Sequence, residues 1–152
     1  IQLARYAGAH VIATASPRNA ETARQLGADQ IIDYTRTALA DALDEPVDAL
    51  LNLAAIDTLR LAAMAALIRP GGVLVSATVK VEQLTSHVQA VRFVVRNDTG
   101  HLTALVKLVD AGVVRADIAA ARPLAELASV HRDAEAGRLP GKTILLPGKV
   151  PP

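Results

Sequence analysis

The sequence of 152 residues predicts an α/β fold built on a doubly wound parallel sheet, and three observations carry that expectation. Short apolar runs alternate with amphipathic segments as far as Gly112, the rhythm of a strand-helix-strand chain. Most of these runs are apolar at consecutive positions, as strands covered on both faces are. Hydrophobic residues make up 51% of the chain but aromatics only 2%. The core is therefore built from Ala, Leu, Val and Ile, whose small side chains let helices approach a sheet closely.

Each element follows from local signals. "IQLARY" reads as the last turns of a helix closed at Gly8, and residues 10–15 as the first strand. Ser16 and Pro17 supply an N-cap and an N1 proline for a helix whose Ala20, Ala23 and Leu26 share one face and which Gly27 ends. Residues 30–33 and 47–53 are further strands, with Asp41, Asp44 and Glu45 at a solvated helix end between them. Asp57 caps a helix with Leu59, Ala63, Met64 and Leu67 on its stripe, stopped by "RPGG" ahead of a strand at 72–77. After a strand at 91–95, Asp98 or Thr99 opens the most periodic helix, carrying Leu102, Leu105, Val106 and Val109. The rhythm then changes to strand 118–122, a helix from about Leu124 to Ala136, strand 143–146 and the extended tail "PGKVPP".

Composition excludes several functions. A net charge of +1 without a Lys/Arg cluster is no nucleic-acid footprint. The absence of Cys removes disulfides, thiolate metal sites and a Cys nucleophile. His10, His87 and His101 lack ligand spacing to one another or to carboxylates, so no metal is expected. His131 falls on the apolar stripe of Leu127 and Ala128 and reads as a satisfied, partly buried histidine. No apolar run reaches membrane-spanning length and no signal-peptide pattern opens the chain; a soluble, cytoplasmic protein without membrane partners is expected.

A doubly wound sheet binds ligands at the carboxyl ends of its strands. The glycine-rich fingerprint G-x-G-x-x-G does not occur here. The first strand ends in "TASPR", with no acid to bind a ribose diol. Instead Ser16 offers a hydroxyl and Arg18 a planar cationic fork, a pair suited to a phosphate monoester. That points to NADP rather than NAD. The bland alternative, a capping Ser16 and a solvated Arg18, is compatible with it. "GGVLVSAT" is a tight turn into a buried strand, and Ser76, Ala77 and Thr78 at its end leave room for a flat ring. "NLAA" at 52–55 has the same character.

The ordered segments "IQLARYAGAHVIATASPRNAETARQLGADQIIDYT", "VDALLNLAA", "IRPGGVLVSAT", "LTALVKLVDAGVV" and "HRDAEAGRLPGKTILLP" resemble the medium-chain dehydrogenase/reductase superfamily. The likeness is greatest to its zinc-independent quinone oxidoreductase, zeta-crystallin-like branch. It implies a Rossmann sheet inserted in a larger catalytic domain, with this chain similar to the C-terminal part of a member. Residues 1–115 would be a partial NADP-binding domain and 116–152 a C-terminal part of the catalytic domain. The chain would begin in the first Rossmann helix, with the first strand outside it. The strands on either side of that central position would then lie about 10 Å apart, twice the usual spacing. Such a chain is expected to be weakly stable, rearranged or completed by another chain.

The resemblance also assigns roles. Ser16 and Arg18 match the region that holds the adenosine 2′-phosphate, and Tyr34 a position contacting that phosphate or the adenosine. Ala54 and Ala55 would lie against the cofactor, and Ala77 and Thr78 match the nicotinamide-side loop. Ala55 and Thr78 each stand where the family often has Gly. Phe93 and Val95 match a segment along the nicotinamide, with core packing as the alternative for Phe93. The implied function is hydride transfer from NADPH to a quinone or enone without a covalent catalytic residue. A homodimer through the strand at 91–95 is also implied. The alternatives are a fragment of a zinc-dependent alcohol dehydrogenase and a non-catalytic nucleotide-binding module. A methyltransferase is disfavoured by the missing ribose-binding acid.

Overall fold

The computed structural model describes residues 1–78 and 87–148. It divides into two compact units, Ile1–Gly100 and His101 onward. The last four residues of the "PGKVPP" tail lie outside the described residues.

The first unit opens with helix α1 (Gln2–Tyr6) and strand β1 (Ile12–Thr14). Helix α2 (Pro17–Gln25) follows, with Pro17 in its first turn, and then strand β2 (Gln30–Ile32). β1 and β2 pair in parallel, Thr14 opposite Ile32. Ala15, Ala23 and Ala28 are buried together against Ala13 and Ile31, so alanines do let α2 sit close on this pair. Asp29 ties the unit's start together: it accepts from the Val11 N–H (2.8 Å) and from Arg5 Nη1 (2.7 Å). Those two bonds, the Val11 amide first, hold its carboxyl below the ordinary value of 3.8. His10, read from spacing alone as remote from carboxylates, lies 3.6 Å from Asp29.

Strands β3 (Val47–Asn52), β4 (Ile68–Ser76) and β5 (Gln89–Arg92) form a three-stranded parallel sheet in the order β3-β4-β5. Between β3 and β4 runs helix α3 (Thr58–Met64), capped by the Asp57 carboxylate on the Arg60 N–H at 2.8 Å. Central β4 is the best covered strand, with Leu74 and Ser76 at 0% exposure. Leu74 packs in one cluster with Leu61, Ile68 and Val88. Burial on both faces holds for β4 but not for β3, where Leu51 is 60% exposed at the sheet's edge.

Two details of α3 and β4 correct the sequence reading. The buried stripe runs through Leu61, Ala65 and Ile68, whereas Leu59 is 82% exposed. "RPGG" does not stop the helix; a 3-10 turn at Ala65–Leu67 does, and "RPGG" is already strand. Ile68 pairs with Val47, and the register shifts before Ala49 meets Val73. Gly71 absorbs that irregularity at φ +82, and a Cβ on Gly72 would stand 2.6 Å from the Asp48 carbonyl oxygen. Only residues without a Cβ pass there. β5 likewise begins before position 91 and ends at Arg92, leaving Phe93 and Val95 beyond it.

No ladder joins β1 to β3: the two parallel sheets of this unit are separate. The break falls where the resemblance implied a strand outside the chain.

The second unit contains helix α4, strand β6 (Ile118–Pro123), helix α5 (Leu127–Glu135) and strand β7 (Lys142–Leu146); α4 spans Thr99–Asp110. β6 and β7 pair in parallel. On α5 the buried residue is Val130, one position round from the stripe expected at Leu127, Ala128 and His131, all three of which are exposed. Arg122 Nε donates to Glu126 (2.7 Å) and its Nη1 to Asp133 (3.1 Å), and Arg138 Nη2 donates to Asp133 (2.8 Å). This net ties α5 to the end of β6 and to the turn that follows the helix. The bond to Glu126 raises the Arg122 pKa, and the bond from Arg138, then that from Arg122, lowers that of Asp133.

Candidate functional site

The carboxyl ends of the parallel strands bring the sequence-expected residues together in two groups, one on each sheet of the first unit. The first group follows β1 and β2. The β1–β2 ladder ends where Thr14 pairs with Ile32, and Ser16 and Tyr34 each follow that rung by two residues. Ser16 occupies the N-cap position of α2, but its hydroxyl makes no capping hydrogen bond. Arg18 is exposed in the first turn of the same helix, where the backbone N–H groups already favour an anion. Tyr34 is 62% exposed. It begins a turn in which Asp33 accepts from the Thr35 N–H at 3.0 Å and from its hydroxyl at 2.6 Å. Both bonds go to Asp33 Oδ1.

The second group follows β3 and β4. Ala54, Ala55 and Thr78 are exposed and Ala77 is partly so. The Ala77 N–H extends the β3–β4 ladder to the Asn52 carbonyl at 3.1 Å. Thr78 Oγ1 donates to the Ala54 carbonyl at 2.7 Å, joining the two loops directly. The Phe93 N–H reaches the Ser76 carbonyl at 3.2 Å, so Phe93, 37% exposed, borders this group. Val95 is 82% exposed, three residues past β5.

Asn52 was not singled out from sequence, yet it organises this edge. It is 7% exposed. Its Oδ1 accepts from the Ala54 N–H (3.2 Å), and its Nδ2 lies within reach of Ala54 O (3.1 Å), Ser76 Oγ (3.3 Å) and Thr78 Oγ1 (3.1 Å). The available signal was a lone amide inside the apolar run "LLNLAA": a buried polar group must find partners.

Parallel sheets with helices between their strands define the doubly wound α/β class, whose members bind ligands at the carboxyl ends of the strands. The chain matches the sequence profile described as zinc-binding dehydrogenase over residues 26–145, and it belongs to that family, within the medium-chain dehydrogenase/reductase superfamily. It is 40% identical over 110 residues to the trans-enoyl reductase cghC of Chaetomium globosum, covering 64% of this chain and 26% of that protein. The quinone oxidoreductase of Coxiella burnetii superposes with a TM-score of 0.81 at 30% identity, over 94% of this chain and 46% of that one. The CurK enoyl reductase superposes with a TM-score of 0.75 at 23% identity, over 97% of this chain and 50% of that one. The chain thus spans about a quarter of the curated relative and about half of these solved structures.

The family's description implies zinc. Among the described residues no three His, Asp or Glu side chains gather to hold a metal ion, and the chain has no Cys. These residues do not fit a zinc site, and no step is routed through one. A nicotinamide dinucleotide does fit. The group after β1 and β2 has uncommitted polar atoms for a phosphate, and the group after β3 and β4 has small side chains for a ring. No helix among the described residues is long and apolar enough to cross a membrane.

Proposed function

We propose that this chain is the cofactor-binding part of an NADPH-dependent oxidoreductase that transfers hydride to a quinone or an enone. One observation carries the reading: the Ser16 hydroxyl makes no capping bond at the N-terminus of α2, Arg18 lies in the first turn of that helix, and Tyr34 follows the neighbouring strand two residues past the last shared rung. A 2′-phosphate would receive a hydroxyl, a guanidinium and backbone amides there. An acid able to take a free ribose diol is absent from "TASPR". The reductase names of the fungal and Coxiella relatives support the reaction class.

In this reading Ser16, Arg18 and Tyr34 hold the adenosine 2′-phosphate. Ala54, Ala55, Ala77 and Thr78 support the nicotinamide half, with Phe93 and Val95 along it. When bound, the nicotinamide supplies hydride to the electrophilic carbon of the acceptor. The chain's own contribution is binding and orientation through small side chains and a fixed backbone edge. A homodimer through 91–95 belongs to the same proposal, because among the described residues β5 is the last strand of its sheet.

The test is a fluorescence titration of the protein, in its natural sequence context, with NADPH, NADH and S-adenosylmethionine. NADPH is expected to bind more tightly than NADH, with no binding of S-adenosylmethionine. Equal affinity for both dinucleotides would remove the phosphate assignment. Binding of S-adenosylmethionine alone would remove the reaction class.

A further inference from the structure

We propose that Asn52 is a positioning residue that sets the backbone edge on which the nicotinamide half of the cofactor rests; this deepens the cofactor reading above and depends on it. The β3–β4 pairing ends at Asn52 opposite Ser76. The Asn52 side chain is not needed for that rung. It acts beyond it, on Ala54 and Thr78, each two residues past its strand's last rung. Its Oδ1 takes the Ala54 N–H at 3.2 Å, and its Nδ2 lies 3.1 Å from Thr78 Oγ1. Thr78 Oγ1 in turn gives its proton to the Ala54 carbonyl at 2.7 Å. The result is a closed, directional ring of hydrogen bonds, Asn52 to Thr78 to Ala54 and back to Asn52.

The amide also lies 3.3 Å from the fully buried Ser76 hydroxyl and 3.1 Å from the Ala54 carbonyl. Two N–H protons therefore serve three acceptors, and the ring has little freedom to turn. Both loops that carry the ring-side residues are locked to one buried amide. The carbonyl of Ala54 is occupied by donors from both sides, so it faces no ligand. A residue without an amide at position 52 removes the buried anchor of both loops and leaves the Thr78–Ala54 bond alone between them, while the β1–β2 group shares none of these bonds.

The experiment uses two ligands that share the phosphate end, NADPH and adenosine 2′,5′-bisphosphate, which lacks the nicotinamide. Asn52→Ala and Thr78→Val are each expected to weaken NADPH about tenfold or more, with adenosine 2′,5′-bisphosphate unchanged. Thr78→Ser, which restores the hydroxyl, recovers most of the affinity lost in Thr78→Val. Thr78 is exposed, so its variants report even where Asn52→Ala does not fold. Equal losses for both ligands would mean that Asn52 only supports the fold, and unaltered NADPH binding would mean that the ring positions nothing; either overturns the proposal. If the unsubstituted protein binds neither ligand, the cofactor reading fails, and the positioning role with it.

Discussion

Replacing Arg18 with Ala separates a phosphate site from a surface charge. Arg18 lies in the first turn of α2, exposed, beside a Ser16 hydroxyl that the helix does not use. A hydrogen bond to a charged group is worth about 1.5–3 kcal/mol. An exposed guanidinium is screened by salt, which places it near the lower end, about 1.5–2 kcal/mol on the same scale. At about 1.4 kcal/mol per decade, NADPH should bind roughly 10- to 30-fold more weakly. NADH carries no 2′-phosphate and should be unaffected, so the preference between the two falls by the same factor. Arg18→Lys keeps the charge but loses the fork, and its loss should be intermediate. Titrating both dinucleotides at about 0.05 M and 0.5 M salt adds an internal check, because screening should shrink the Arg18→Ala effect on NADPH. A parallel loss for NADH, or no loss for either, would refute the assignment.

Four further outcomes follow from caps, packing and charge. Asp57→Ala removes the carboxylate bonded to the Arg60 N–H and should lower stability by about 1 kcal/mol. Ser16→Ala removes no cap bond and should leave the urea midpoint in place while weakening NADPH. Leu74→Ala empties a fully buried site in central β4 and should cost about 3–5 kcal/mol, read as a lower midpoint at constant slope. Asp29 titrates below its ordinary 3.8 in the folded chain, so it contributes stability above that value and loses it as pH falls through the folded pKa. Urea midpoints followed downward from pH 6 should drop less steeply in Asp29→Asn than in the parent protein.

The strands were legible because each is a short apolar run closed by a turn residue, and all seven occur near their expected positions. Helix faces were less legible. On α5 the apolar pattern favoured Leu127 and His131, but both are exposed and Val130 is the buried residue. "RPGG" looked like a stop because glycine and proline punctuate turns. In the folded chain the same glycines let β4 slip past β3 at a register shift. At the site, residue types told which atoms could meet a phosphate. The Asn52 ring was illegible because it depends on Ala54 and Thr78 meeting, and only the pairing of β3 with β4 brings them within 2.7 Å.

The missing ladder between β1 and β3 has a consequence for motion. Among the described residues the two sheets share no rung, so within this stretch of chain one can open without the other. Amide protons of the β1–β2 pair should therefore exchange at a rate set by three rungs and a few alanines. Those of β4 should report the whole Leu74 cluster. A dinucleotide that touches both would act as a strap across the gap, slowing exchange on each side by an amount that neither half of the ligand achieves alone.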